Sequence, residues 1–230
     1  MKFTELTSLI LTLMAIFLFS ACQFIPTESS RNSRPLGENK IETEGKKDQV
    51  SLSTDDNPYL AQSVKVTSVA RHRFELANKA SRKEDWVQAE NHLLWLTKNY
   101  PELSGPFLKL ALLYNATEQF EKAESSFGHA IVSNDKNIYA YNQYAVFLRE
   151  RGKFIEAEKY YRQALNIWPA YPEGNLNLAI LYDLYMGRLE LALQHYKIYQ
   201  SLLPETNRQI SGWIIDTQRR LATSQITRGD

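Results

Sequence analysis

From about residue 70 the chain repeats one arrangement of apolar and polar positions. An Ala with an acidic or hydrophobic neighbour recurs at Ala89, Ala123, Ala157 and Ala192, at spacings of 34, 34 and 35 residues. Three residues before each stands a large apolar side chain: Trp86, Phe120, Phe154 and Leu189. Four residues after each stands another: Leu93, Phe127, Tyr161 and Tyr196. A second small residue recurs upstream at Ala77, Ala111, Ala145 and Ala179, followed three positions later by Ala80, Tyr114, Leu148 and Tyr182. Offsets of three and four share one face of an α-helix. Pro101, Pro169 and Pro204, with Asp135 in the same place, fall twelve residues after the recurring Ala; proline cannot continue a helix and marks its end. The pattern predicts pairs of antiparallel helices, brought close by Ala and filled beside it by aromatic rings and Leu. One such pair cannot bury its apolar face alone, so neighbours must stack.

A 34-residue period carrying these residues resembles the tetratricopeptide repeat family. The resemblance implies an all-α fold, a right-handed superhelix of about four helix-turn-helix repeats, at about 70–103, 104–137, 138–171 and 172–205. Gly152, ahead of Phe154, stands where the family prefers Gly. The fourth unit has one extra residue, expected in its turn within 183–188. The first unit matches least, with Phe74 as the aromatic of its first helix. Residues 206–222 place Ile210, Trp213, Ile214, Thr217 and Leu221 on one face and Arg208, Asp216, Arg219 and Arg220 on the other. That pattern fits a capping helix; an amphipathic membrane helix is the competing reading. The folded body is expected to span 58–222, with 223–230 as a disordered tail.

Residues 1–21 have the form of a secretory signal: Lys2, an apolar run from about Leu9 to Phe19, then Ser20 and Ala21 before Cys22. The run would extend roughly 17 Å as a helix, short of a hydrocarbon layer about 30 Å thick. Phe19-Ser20-Ala21-Cys22 resembles the lipobox of bacterial lipoproteins. The resemblance implies a diacylated Cys22 thiol, cleavage before Cys22 and acylation of the new amine; more than one acyl chain, palmitate for example, anchors durably. An uncleaved signal anchor with an incidental cysteine is the alternative. Inner-membrane lipoproteins often carry Asp after the cysteine, so Gln23 points to the outer membrane, facing the periplasm. Residues 22–57 are polar and without apolar periodicity, the composition of a disordered tether. As a coil it would span roughly 30–35 Å.

Charge and chemistry narrow the function. With 27 basic and 26 acidic residues, nothing marks a nucleic-acid partner, which would call for a basic face. One cysteine excludes an intrachain disulfide and a thiolate-rich metal site. His72, His92, His129 and His195 include no pair three or four apart, as two ligands on one helix would be. The acids from Glu118 to Glu124 alternate with Lys122 as a solvated face does. No phosphate-cradling loop and no nucleophile motif occurs. The expectation is a non-enzymatic protein with no catalytic residue, metal, cofactor or small-molecule substrate.

In the family that the repeats resemble, the first helices of successive units line a concave groove. The matching places are Asn78 and Ser81; Leu108, Leu112 and Asn115; Tyr139, Asn142, Val146 and Arg149; and Leu176, Ile180 and Asp183. Amides beside aliphatic patches suit an extended peptide or amphipathic helix from a protein partner. The competing reading packs Leu108, Leu112, Val146 and Ile180 inside the superhelix. Some members clamp a chaperone's C-terminal carboxylate; those places hold Phe74, Asn78, Lys109, Tyr139 and Gln143, of which Asn78 alone fits. The whole layout resembles envelope scaffolds. The stretches 101–106 and 179–185 look like proteobacterial lipoproteins associated with TonB-type systems. The alternative is an assembly factor, similar in layout to the lipoprotein that helps a type IV pilus secretin reach the outer membrane, or to that of the β-barrel assembly machine. An accessory to a cell-wall enzyme is a third reading.

Overall fold

The computed structural model describes residues 57–62 and 64–228. The signal, Cys22 and the tether up to residue 56 lie outside the described residues. Among the described residues there are nine helices and no strand. They form four antiparallel pairs: α1 (Ser68–Arg82) with α2 (Trp86–Asn99), α3 (Ser104–Ala116) with α4 (Phe120–Ser133), α5 (Ile138–Glu150) with α6 (Phe154–Ile167), and α7 (Pro172–Ile180, continued by a π turn Leu181–Tyr185) with α8 (Leu189–Leu202). A single helix, α9 (Arg208–Arg228), follows and packs on α8.

Local chemistry starts and stops these helices. Thr67, Asp85 and Asn137 cap α1, α2 and α5, each side-chain oxygen accepting the backbone N–H three residues on. Pro101, Pro169 and Pro204 follow two residues beyond Asn99, Ile167 and Leu202, the last residues of their helices. Every pair turns over three residues, the middle one left-handed: Glu84 (φ 58°), Glu118 (φ 58°), Gly152 (φ 73°) and Gly187 (φ 63°). Glycine adopts this conformation freely, whereas Glu pays a steric penalty for it.

The extra residue of the fourth unit is not in the turn. The first three turns close with a bond reaching five residues back, from Asp85 N–H to the Ala80 carbonyl, Gln119 to Tyr114 and Lys153 to Leu148. In the fourth, Arg188 reaches six back, to Tyr182 (2.9 Å). The added residue is absorbed upstream, where α7 widens into the π turn and Met186 N–H bonds the Leu181 carbonyl (3.1 Å).

Ala89, Ala111, Ala123, Ala145, Ala157, Ala179 and Ala192 are all fully buried. Leu93, Phe127, Tyr161 and Tyr196 are buried with them, in one continuous core that runs through all four pairs. The second helix of each pair packs on the first helix of the next, and α3 touches α5 as α5 touches α7. α3, α5 and α7 therefore lie side by side as one layer.

At the C-terminal end α9 buries Ile210 and Thr217 and sets Trp213 against Tyr196 (ring centroids 5.6 Å apart). Two expectations change here. The helix runs on to Arg228, so a disordered tail does not begin at 223. Arg220, read as part of a polar outer face, instead forms an ion pair with Asp183 of the fourth unit.

Candidate peptide groove

On α5, Tyr139, Asn142, Val146 and Arg149 follow one another at intervals of three and four and share a face. Leu108, Leu112 and Asn115 form the matching stripe on α3, and Leu176, Ile180 and Asp183 on α7. Leu108, Leu112, Val146, Leu176 and Ile180 are half-buried: each packs against the core and leaves part of its surface open.

The polar members of the set divide. Asn78 is half-buried on α1. Asn142 is 2 % exposed and accepts a hydrogen bond from Asn177 of the next unit (3.1 Å), so it joins α5 to α7 rather than facing solvent. Ser81 turns back to donate to its own Ala77 carbonyl (2.9 Å). Asn115 accepts from Arg151 (2.8 Å), whose guanidinium also lies over Phe147 and Phe120. Asp183 is withdrawn from the groove altogether: its carboxylate is 6 % exposed and receives Tyr196 Oη (3.1 Å) and Arg220. This partner is not visible in the repeat register, because Arg220 lies 37 positions away.

Residues preceding the first helix pack on Tyr139, at the N-terminal end of the α5 stripe. Asn57 Nδ2 donates to Tyr139 Oη (2.8 Å), and the Tyr59 ring meets the Tyr139 ring edge-on at 5.8 Å. Tyr59 Oη lies 3.3 Å from Ser104 Oγ, which also accepts from Asn137 Nδ2 (2.9 Å). Asn134 donates to Gln62 (2.7 Å). This strap reaches past the first unit to the second and third. Burial raises the Tyr139 pKa, as does nearby Glu173, while the Asn57 bond works the other way. Between strap, α1 and α3 lies an open cavity of about 590 Å3, lined by Leu60, Val64, Val66, Phe74 and Leu103 among others. Asn57-Pro58 was the available sequence signal for a turn there, but it carries no information about its distant partner.

Tyr–Glu rungs between units were also missed. Tyr114 donates to Glu90 (2.7 Å), Tyr144 to Glu124 (3.1 Å) and Tyr182 to Glu158 (2.9 Å), each across a unit boundary. Glu124 further pairs with Lys153 and Glu158 with Arg188. Glu124 is thus more than part of a solvated face. Burial, then the Glu158 bond, pushes the Tyr182 hydroxyl up to about 12. The recurrence of Glu90, Glu124 and Glu158 one place after the repeat Ala was the signal that could have found them.

His195 has a displaced proton affinity. Burial, then the Arg162 charge, lowers its pKa to about 4. Its Nδ1 lies 2.9 Å from Asn175 Oδ1, while Asn175 Nδ2 donates to the carbonyls of Pro169 and Tyr171. The imidazole is neutral near pH 7 with its proton on Nδ1, because the amide oxygen can only accept. This holds α8 to α7. Among the described residues no three His, Cys, Asp or Glu side chains gather as a metal ion would require, and no described helix is long and apolar enough to cross a membrane.

These paired helices, left-handed turns and side-by-side first helices define a tetratricopeptide-type superhelix. Solved structures of the same fold include the Pseudomonas aeruginosa pilF protein (TM-score 0.59, 17 % identity, 70 % of this chain and 72 % of that one). Another is MamA, residue 41 to its end, from Desulfovibrio magneticus RS-1 (TM-score 0.57, 13 % identity, 72 % and 92 %). The Thermobaculum terrenum O-GlcNAc transferase shares it over a smaller part of its length (TM-score 0.50, 19 % identity, 59 % and 28 %). No family model matches the sequence, and no curated protein matches it.

Proposed function

We propose that this protein is a non-enzymatic scaffold of the bacterial envelope, anchored through lipid on Cys22 and binding a polypeptide in the groove of its first helices. The half-buried aliphatic stripe of Leu108, Leu112, Val146, Leu176 and Ile180 carries the reading. It crosses three consecutive units and presents apolar surface to an incoming side chain. The lipobox-like leader supports the anchor, and Gln23 the outer membrane, with the groove facing the periplasm. Within this role a TonB-type system is the favoured setting, on the resemblance of residues 101–106 and 179–185. Assembly of a type IV pilus secretin or of another outer-membrane complex is the alternative.

A photo-crosslinking residue in place of Val146, in the chain as expressed in its own cells, tests the groove. A discrete polypeptide adduct that is lost when Leu112→Glu is added is the expected result. Identifying the adduct as a secretin or as a TonB-type component chooses between the two settings. Adducts unchanged by Leu112→Glu would remove the groove from the mechanism. Separately, Cys22→Ala should release the protein from membranes; full retention would refute the lipid anchor.

A further inference from the structure

The third and fourth units hold the same two positions differently. Four residues after the repeat Ala stand Tyr161 and Tyr196; four after the upstream Ala stand Arg149 and Asp183. In the fourth unit this set is satisfied, because the Asp183 carboxylate accepts from Tyr196 and from Arg220. In the third unit the acidic member is replaced by another donor. The Tyr161 side chain is fully buried, and its hydroxyl has no hydrogen-bond partner. Arg149 Nε and Nη1 are buried and likewise unpartnered, with the guanidinium over the Tyr185 ring at 5.8 Å. The nearby acid, Glu150, is exposed and lies 3.9 Å from Arg151. Buried donors without an acceptor are costly, and a guanidinium offers a carboxylate two forks, Nε with Nη2 or Nη1 with Nη2.

Arg149 is half-buried and ends the stripe that begins at Tyr139 and passes through Val146. A ligand in the groove therefore meets apolar surface first and the half-buried Arg149 side chain at its end, with the buried Tyr161 hydroxyl behind it. We infer that Arg149, with Tyr161 behind it, receives the carboxylate of an acidic side chain on a peptide whose neighbouring residues are apolar. The missing acceptor, supplied within the chain by Asp183 in the next unit, comes from the partner. These positions are distinct from those at which a chaperone clamp would be expected, Phe74, Asn78, Lys109, Tyr139 and Gln143. The Arg149 charge also acts on the Tyr161 hydroxyl, opposing the rise that burial gives its pKa.

This inference rests on the groove reading above, and its test separates the two. The full chain in detergent is titrated with short apolar-rich peptides made in matched pairs, one member with a single Glu and the other with Gln in its place. The Glu member should bind about tenfold more tightly, as a charge-assisted fork implies. Arg149→Gln should erase the difference. Tyr161→Phe, which installs the ring that Phe127 provides in the second unit, should reduce it roughly threefold while the chain stays folded by circular dichroism. Equal binding of both members to the wild type, or a preference that survives Arg149→Gln, overturns the carboxylate site and leaves the groove standing. Stabilisation by acetate with no preference among the peptides also overturns it, making this an ion site. Binding of neither member overturns the groove reading itself.

Discussion

The first and third helix pairs follow one plan and differ in how much of it they bury. In α1 the buried residues are Ala70 and Ala77, whereas α5 buries eight, from Ile138 to Leu148. Around α5 the Tyr144 ring lies 5.2 Å from Phe127 and 4.4 Å from Tyr160; around α1 and α2, Val69, Val87 and Leu94 are exposed. The cause is position as much as composition. An internal unit has neighbours on both sides, and an end unit must be covered by something outside the repeat. The fourth unit is covered by a full helix. Among the described residues the first has no such helix, and the strap before it sends its side-chain bonds to the second and third units, leaving an open cavity beside the first helix.

The sharpest way to break this comparison is to place the same insult in both pairs. Ala157 and Ala89 are each fully buried. Ala157→Arg forces a long charged chain into the centre of the array, costing several kcal/mol, roughly 4 or more. Circular dichroism should show the helix signal of the whole array lost. Ala89→Arg should unfold the first pair and leave the rest, visible as a partial loss and a protease-resistant core beginning near α3. Equal effects would mean that the array is one cooperative unit and the contrast is only visual.

The far end offers the next largest effect. His195 titrates near 4 when folded and near 6.5 when unfolded, so between those values the unfolded chain binds the extra proton. Its contribution is complete above pH about 6.5 and is lost as pH falls toward 4, amounting to about 3 kcal/mol. Thermal melts across this range should slope accordingly, and His195→Gln should flatten that part of the profile. A wild-type profile already flat there would contradict the buried neutral imidazole.

Smaller changes sharpen how units are joined. Tyr182→Phe removes the donor to Glu158 and should cost about 1.5 kcal/mol in chemical denaturation. Glu124→Gln, which keeps a weaker acceptor for Tyr144, should cost less. At the turns, Gly152→Ala should destabilise by about 1 kcal/mol, while Glu118→Gly should gain a few tenths, roughly a degree in Tm. Opposite signs at equivalent positions are the result that matters.

Much of the fold was legible because repeat packing is local and periodic. The helix pairs, the buried Ala positions and the capping helix all follow from offsets of three, four and about 34 residues. What was not legible depends on partners without a periodic relation. Asn57 meets Tyr139 across 82 positions, and Arg220 crosses a unit boundary to Asp183. The extra residue of the fourth unit was countable, yet whether it would lengthen a loop or widen a helix depends on packing around Leu181 and Tyr182, both buried. Of the candidate groove, the aliphatic stripe was readable from register; the withdrawal of Asp183 and Asn142 was not, because register fixes the face of a side chain and not who has claimed it.

The strap also determines how this molecule would carry a mechanical load. A pull on the chain from upstream of residue 57 enters the folded body at Asn57 and Tyr59, whose side-chain bonds lead to Tyr139 and Ser104. Tension would thus be shunted to the third and second pairs in parallel with the backbone path through α1. The thinly packed first pair would stay slack until the Asn57–Tyr139 bond gave way, and that bond would then act as the fuse of the array, setting the force at which it begins to open.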